Sequence, residues 1–139
     1  MSNVRSRYGV ATGDELFQVK KRTLDFGRWT FGIAMDAIVV FMTAGSREEA
    51  ERIAQSLVSK RLAACVQILP EMQSVYWCQG QIEQTPEIPI LAKTVRSNFA
   101  DLEREVRSLH SYETPEIIAL PITDASAPYL EWLTTTLCS

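Results

Sequence analysis

A chain of 139 residues, 46% hydrophobic and 22% charged, has the length of one domain and the composition of an ordinary globular protein. Its 14 basic residues against 17 acidic ones, a formal net charge of −3, argue against a broad cationic surface for nucleic acid. No apolar run approaches the ~20 residues that a bilayer crossing needs.

The charge is unevenly divided. Residues 1–36 carry six basic and four acidic side chains, whereas 37–139 carry eight and thirteen. The first stretch also holds four of the six glycines and shows no regular apolar period. It is expected to be a flexible extension outside a single domain spanning 37–139. It lacks the apolar core and small-residue cleavage site of a secretory signal, and its acids argue against a transit peptide. Cys65, Cys78 and Cys138 are too few and too scattered for a disulfide framework or a paired zinc motif. An odd cysteine count without a signal fits a reducing cytoplasm.

From Ala37 the pattern becomes legible. Ile38-Val39-Val40-Phe41-Met42 is a β-branched apolar run, as in an interior strand. Ser46-Arg47-Glu48-Glu49 reads as a capping box, in which Ser46 accepts from the Glu49 backbone and Glu49 reaches back. Ala50, Ile53, Ala54, Leu57 and Val58 follow at helical spacing, predicting a helix over 46–60. Residues 63–78 read as a long strand bent at Pro70, which cannot donate to a ladder. Gln79-Gly80-Gln81 supplies a turn, and a return strand over about 81–95 carries Pro86 and Pro89, a sign of an edge or a break. Phe99, Leu102, Val106 and Leu109 stripe a second helix from Ser97 to about His110. Ile117–Ile122 is a last strand. A closing helix follows, capped by Ser126 or Asp124, with Pro128 in its first turn.

The order β-α-β-β-α-β-α predicts a ferredoxin-like α+β sandwich: a four-stranded antiparallel sheet, helices on one face, and an extra C-terminal helix. A fifteen-residue helix is about 22 Å long, while the strand at 63–78 could reach roughly 50 Å. The hairpin must therefore overhang its helices, and its far end carries Val75, Tyr76, Trp77 and Ile82. A ribbon of that kind is marginal alone, so self-assembly is expected.

Chemistry concentrates in one stretch. No P-loop, dinucleotide fingerprint or nucleophile elbow occurs, and His110 is the only histidine. His110-Ser111-Tyr112-Glu113-Thr114-Pro115-Glu116 places an imidazole, a phenol and two carboxylates where a helix gives way to a strand. Such a set could hold a divalent cation or a small polar ligand. Met42 and Cys65 could add sulfur, which suits Cu(I). Duller roles compete: a histidine bonding exposed carbonyls, and a methionine filling core.

Five segments in order carry a resemblance: Lys60-Arg61-Leu62-Ala63-Ala64-Cys65-Val66; Tyr76-Trp77 with Gly80; Leu91-Ala92-Lys93-Thr94; HSYETPEIIALPI at 110–122; and Tyr129-Leu130-Glu131-Trp132. Together they closely resemble the CutA divalent-cation-tolerance proteins over about 37–137. The resemblance implies a cytoplasmic, non-catalytic homotrimer, similar in build to the PII signalling proteins and associated with tolerance to copper and other divalent cations. It implies Cys65, His110, Glu116 and Met42 as metal positions, with Lys93, Tyr112, Glu113 and Trp77 around an intersubunit cleft. No nucleic acid or membrane partner is implied. Some relatives carry cysteine at the Met42 position and histidine at the Leu109 position, and Met42 shifts the expected preference toward Cu(I). A PII-like scaffold binding a small ligand in the cleft is the second reading, and an enzyme is the weakest.

Overall fold

The structure is a computed structural model that describes residues 36–138. The expectation of a flexible extension over 1–36 falls, apart from residue 36, outside that range. Strand β1 (Ala37–Ala44) leads into helix α1 (Arg47–Ser59). An edge strand follows in two pieces, β2 (Cys65–Ile68) and β3 (Met72–Cys78), both paired with the long return strand β4 (Gln81–Val95). A 3-10 turn at Arg96–Asn98 opens helix α2 (Phe99–Leu109), and β5 (Ile117–Pro121) and helix α3 (Ala127–Cys138) complete the chain. The strand order is β2-β4-β1-β5, with β3 continuing along β4, and every pairing is antiparallel. This is the ferredoxin-like α+β arrangement.

One face of the sheet carries the core. Ile38, Val40 and Met42 of β1 and Ile88, Ile90 and Ala92 of β4 are buried against Ala50, Ile53 and Leu57 of α1 and Leu102 and Val106 of α2. Strand alternation turns the intervening residues to the other face. There Phe41 stands between Leu91 and Ile118, and Val39 between Lys93 and Leu120. Ile118 and Leu120 remain about half exposed, at 47% and 53%. Helix α3 packs against β4, burying Leu130 and Leu133, and the Arg61 guanidinium donates to the Thr136 carbonyl at 2.6 Å.

The capping box forms by half. The Ser46 hydroxyl accepts from the Glu49 amide at 3.2 Å, but the Glu49 carboxylate faces His110 instead of reaching back. Pro70 does interrupt the edge strand, as its missing donor requires. The two prolines of β4, in contrast, do not break it. Pro89 accepts from the Leu69 amide, so its donor-less nitrogen falls beside the gap between β2 and β3. Pro86 lies beyond Ala44↔Ile88, the last pair with β1, where its nitrogen has no neighbouring strand to serve. At the far end Gln79 (φ 51°) and Gly80 (φ 78°) both take positive φ, as a two-residue hairpin turn needs. The arm they close exposes Val75, Trp77 and Ile82, with Trp77 at 74%.

Candidate functional site

Three segments converge where β1 ends. Thr43 and Ala44 finish the strand, Gly45 and Ser46 turn into α1, and the chain returns past them after α2. His110 terminates α2 in an extended conformation (φ −80°, ψ 140°), which swings its ring inward; the side chain is fully buried. The ring Nε2 lies 2.7 Å from the Thr43 carbonyl oxygen. A carbonyl only accepts, so Nε2 carries the proton. Nδ1 then offers its lone pair, and the Tyr112 amide donates to it at 3.0 Å.

A second group aims at the same nitrogen. Glu49 Oε1 lies 3.2 Å from His110 Nδ1, and the residue is 5% exposed. That oxygen has no hydrogen-bond donor among the described residues. A second ring proton would pair it with the carboxylate, but would cost the Tyr112 amide its acceptor. One nitrogen faces two suitors.

The Tyr112 ring tilts against the imidazole, with centroids 4.7 Å apart and planes at 52°. Its hydroxyl reaches back over Gly45, where an added Cβ would come within 3.2 Å of it, so glycine is what admits the phenol. Burial raises the phenol above its ordinary value, and the charge of Glu87 and a hydrogen bond to it raise it further, with smaller contributions from Glu49 and Tyr76. Glu87 is itself 8% exposed on β4. Tyr76 and Thr85 share a hydroxyl contact of 2.8 Å across β3 and β4. The result is an acidic, hydrogen-bonded knot joining α1, β1, β4 and the turn after α2.

The expected site residues divide among different places. His110 and Tyr112 share this knot. Glu113 and Glu116 are exposed on the segment leading to β5. Lys93 lies on the open sheet face, donates to Gln67, and stands opposite Cys65. Trp77 is at the end of the arm, across from Ile82. Met42, expected as a metal position, is fully buried within the core cluster between the sheet and its helices. Cys65 sits across β4 from β1 and three residues along from Met42's register, so roughly 10 Å separates the two backbones in each direction. Among the described residues, no three His, Cys, Asp or Glu side chains converge as a ligand set for a metal ion. No helix among them is long and apolar enough to cross a membrane.

Sequence reasoning missed Thr43, Glu49 and Glu87. The sole sign for Glu87 was a carboxylate just before the apolar run that begins at Ile88, and Glu49 already had a local explanation as half of the capping box.

Residues 38–136 match the family model of the CutA1 divalent ion tolerance protein. The divalent-cation tolerance protein CutA of Thermus thermophilus is 45% identical over 95 residues, 68% of this chain and 92% of that protein. Protein CutA 1, chloroplastic, of rice (Oryza sativa) is 42% identical over 97 residues, 70% of this chain but only 55% of its own length. The structure described as the periplasmic divalent cation tolerance protein CutA from Archaeoglobus fulgidus superposes with a TM-score of 0.71 at 42% identity, covering 73% of this chain and 98% of that one.

Proposed function

Since this chain belongs to the CutA1 divalent ion tolerance family, we propose that it is a non-catalytic homotrimer that binds a divalent cation, copper among them, in the cytoplasm. The observation that carries the assembly is the arm. Val75, Trp77 and Ile82 project from a two-stranded ribbon, and the open sheet face adds Ile118 and Leu120. A ribbon with two strands is marginal in water by itself, and large apolar side chains left exposed in this way are what an interface covers. A second and third copy would cover both surfaces with one repeated contact. The cation is supported by the family and by the approach of one imidazole to one carboxylate at the end of β1, His110 Nδ1 and Glu49 Oε1 lying 3.2 Å apart. Imidazole and carboxylate suit Zn(II) and Cu(II), whereas the soft sulfur that would favour Cu(I) is sealed away.

A PII-like reading, a small anionic ligand held between copies, is favoured by one feature: Lys93 is a cation on the open sheet face, steadied by Gln67. Metal analysis of the native particle, purified without chelator and with its mass determined in the same run, tests the main reading. Three chains per particle with a bound divalent ion is the expected result. A folded single chain at micromolar concentration overturns the assembly. A trimer that takes up neither zinc nor copper, but shifts its melting temperature with small anions, moves the function to Lys93.

A further inference from the structure

We propose that Lys93 and Gln67 form the head-group seat for a small carboxylic acid, whose apolar tail lies along the open sheet face toward Ile118. The seat presupposes the second reading above, a small anion held between copies, and gives that anion a chemical class.

Strand register brings the residues together. Lys93 on β4 stands between Val39 of β1 and Cys65 of β2, so no acid flanks it in its own row. Gln67 pairs with Leu91, two positions back along β4 and on the same face. From there its side-chain carbonyl accepts from the Lys93 ammonium. Among the described residues, ion pairs are made by Lys60, Arg104, Arg107 and His110, and none includes Lys93. A half-buried cation thus meets one neutral acceptor and no counter-charge.

The hydrogen-bonding capacity left at this spot is all of one kind. An ammonium carries three N–H groups and accepts nothing, and an amide whose oxygen is engaged presents its NH2. Two donor groups side by side, one of them charged, suit an anionic acceptor with two oxygens, which is a carboxylate.

The row leading away from the seat sets the rest of the ligand. From Gln67 it passes Leu91 and Phe41 to Ile118 without another polar side chain. Three strand spacings, roughly 14 Å, cover that distance. A charged head with an apolar track beside it fits an aliphatic acid and offers nothing to the hydroxyls of a sugar acid. Assembly sharpens the need. A copy laid over this face takes Lys93 out of water, and a buried charge without a partner is costly. The acid is then the counter-ion with which the face closes, so binding and assembly favour each other.

Hexanoate is the probe, with hexanol and hexylamine as controls of the same tail, added to the full chain. Calorimetric titration should show binding by hexanoate alone, and affinity should rise about fourfold for each methylene added from acetate upward. The melting temperature of the native particle should rise with hexanoate. Lys93→Met should weaken hexanoate binding by about 10–100-fold, as for the loss of a hydrogen bond to a charged group. Equal hexanoate affinity in wild type and Lys93→Met overturns the seat, as does hexanol that binds as tightly as hexanoate. The comparison among the three ligands uses wild type alone, so it decides the matter even where Lys93→Met does not fold. A wild type that ignores hexanoate but is stabilised by inorganic phosphate overturns the carboxylic acid and leaves the anion reading standing. One that responds to no anion overturns both.

Discussion

Strand β4 lives in two environments. Its second half, Ile88–Val95, runs between β1 and β2 with α1 and α2 above it, and Ile90 is fully buried. Its first half, Gln81–Glu87, has β3 on one side only, and Ile82 is 61% exposed. The backbone is equally extended in both. Pairing alone thus makes the strand, whereas what the strand is worth depends on what covers it, and among the described residues the first half is left largely exposed.

The same substitution in each half probes that difference most strongly. Ile90→Ala should destabilise the fold by about 2–5 kcal/mol in denaturant titration, through lost transfer energy and the cavity left behind. Ile82→Ala in an isolated chain should stay within about 0.5 kcal/mol, as for exposed positions generally. If copies cover the arm, the cost of Ile82→Ala rises and its melting temperature becomes dependent on protein concentration. A loss at Ile82 equal to that at Ile90 yet independent of concentration would erase the contrast between the halves.

Glu87 stands at the junction, and Tyr112→Phe tests what holds it there. Removing the hydroxyl takes away a polar neighbour of the buried Glu87 carboxylate, so a loss of about 1 kcal/mol is expected at neutral pH. The folded phenol titrates above its ordinary value of 10.0. Its contribution is therefore complete below that value and fades as pH climbs through the raised folded one. Thermal melts should show this alkaline decline in the wild type and a flatter limb in Tyr112→Phe.

Smaller effects belong to the helices over the buried half. Ser46→Ala removes the one side-chain cap of α1 and should cost about 1 kcal/mol, read as a shift in the denaturation midpoint. Lys60→Ala should have the least effect. The Lys60 ammonium, donating at 2.8 Å, and then the Ser56 hydroxyl hold the Glu105 carboxyl below its ordinary 4.5. That contribution is present above 4.5 and is lost as pH falls through the lowered folded value. Lys60→Ala should accordingly lower the neutral melting temperature slightly and leave the acid one unchanged, so that part of the wild type's acid sensitivity disappears.

What the sequence disclosed was whatever repeats locally. The i, i+3, i+4 stripe from Ala50 to Val58 and the alternation of Ile88, Ile90 and Ala92 needed no tertiary knowledge. The five matching segments added the family. The prolines of β4 misled because tolerance of a missing donor depends on the neighbouring strand: Pro89 is harmless only since the edge strand is broken beside it, and no local window shows that. The knot was hidden for a related reason. His110 and Tyr112 were visible as a dense polar stretch, but Glu49 lies 61 residues earlier in the chain and Glu87 sits in a different strand. Buried polar pairs between distant segments follow no periodicity, so only the fold brings them together.

The interruption at Pro70 has one more consequence. An outer strand of fourteen aligned residues, tipped by Val75 and Trp77, would be a template on which misfolded or newly made chains could stack without limit. Split into a stretch of four residues and one of seven, neither piece presents a long straight row of free amides. The kink thus acts as a guard on solubility, leaving the arm apolar at its tip yet too irregular to seed a fibre.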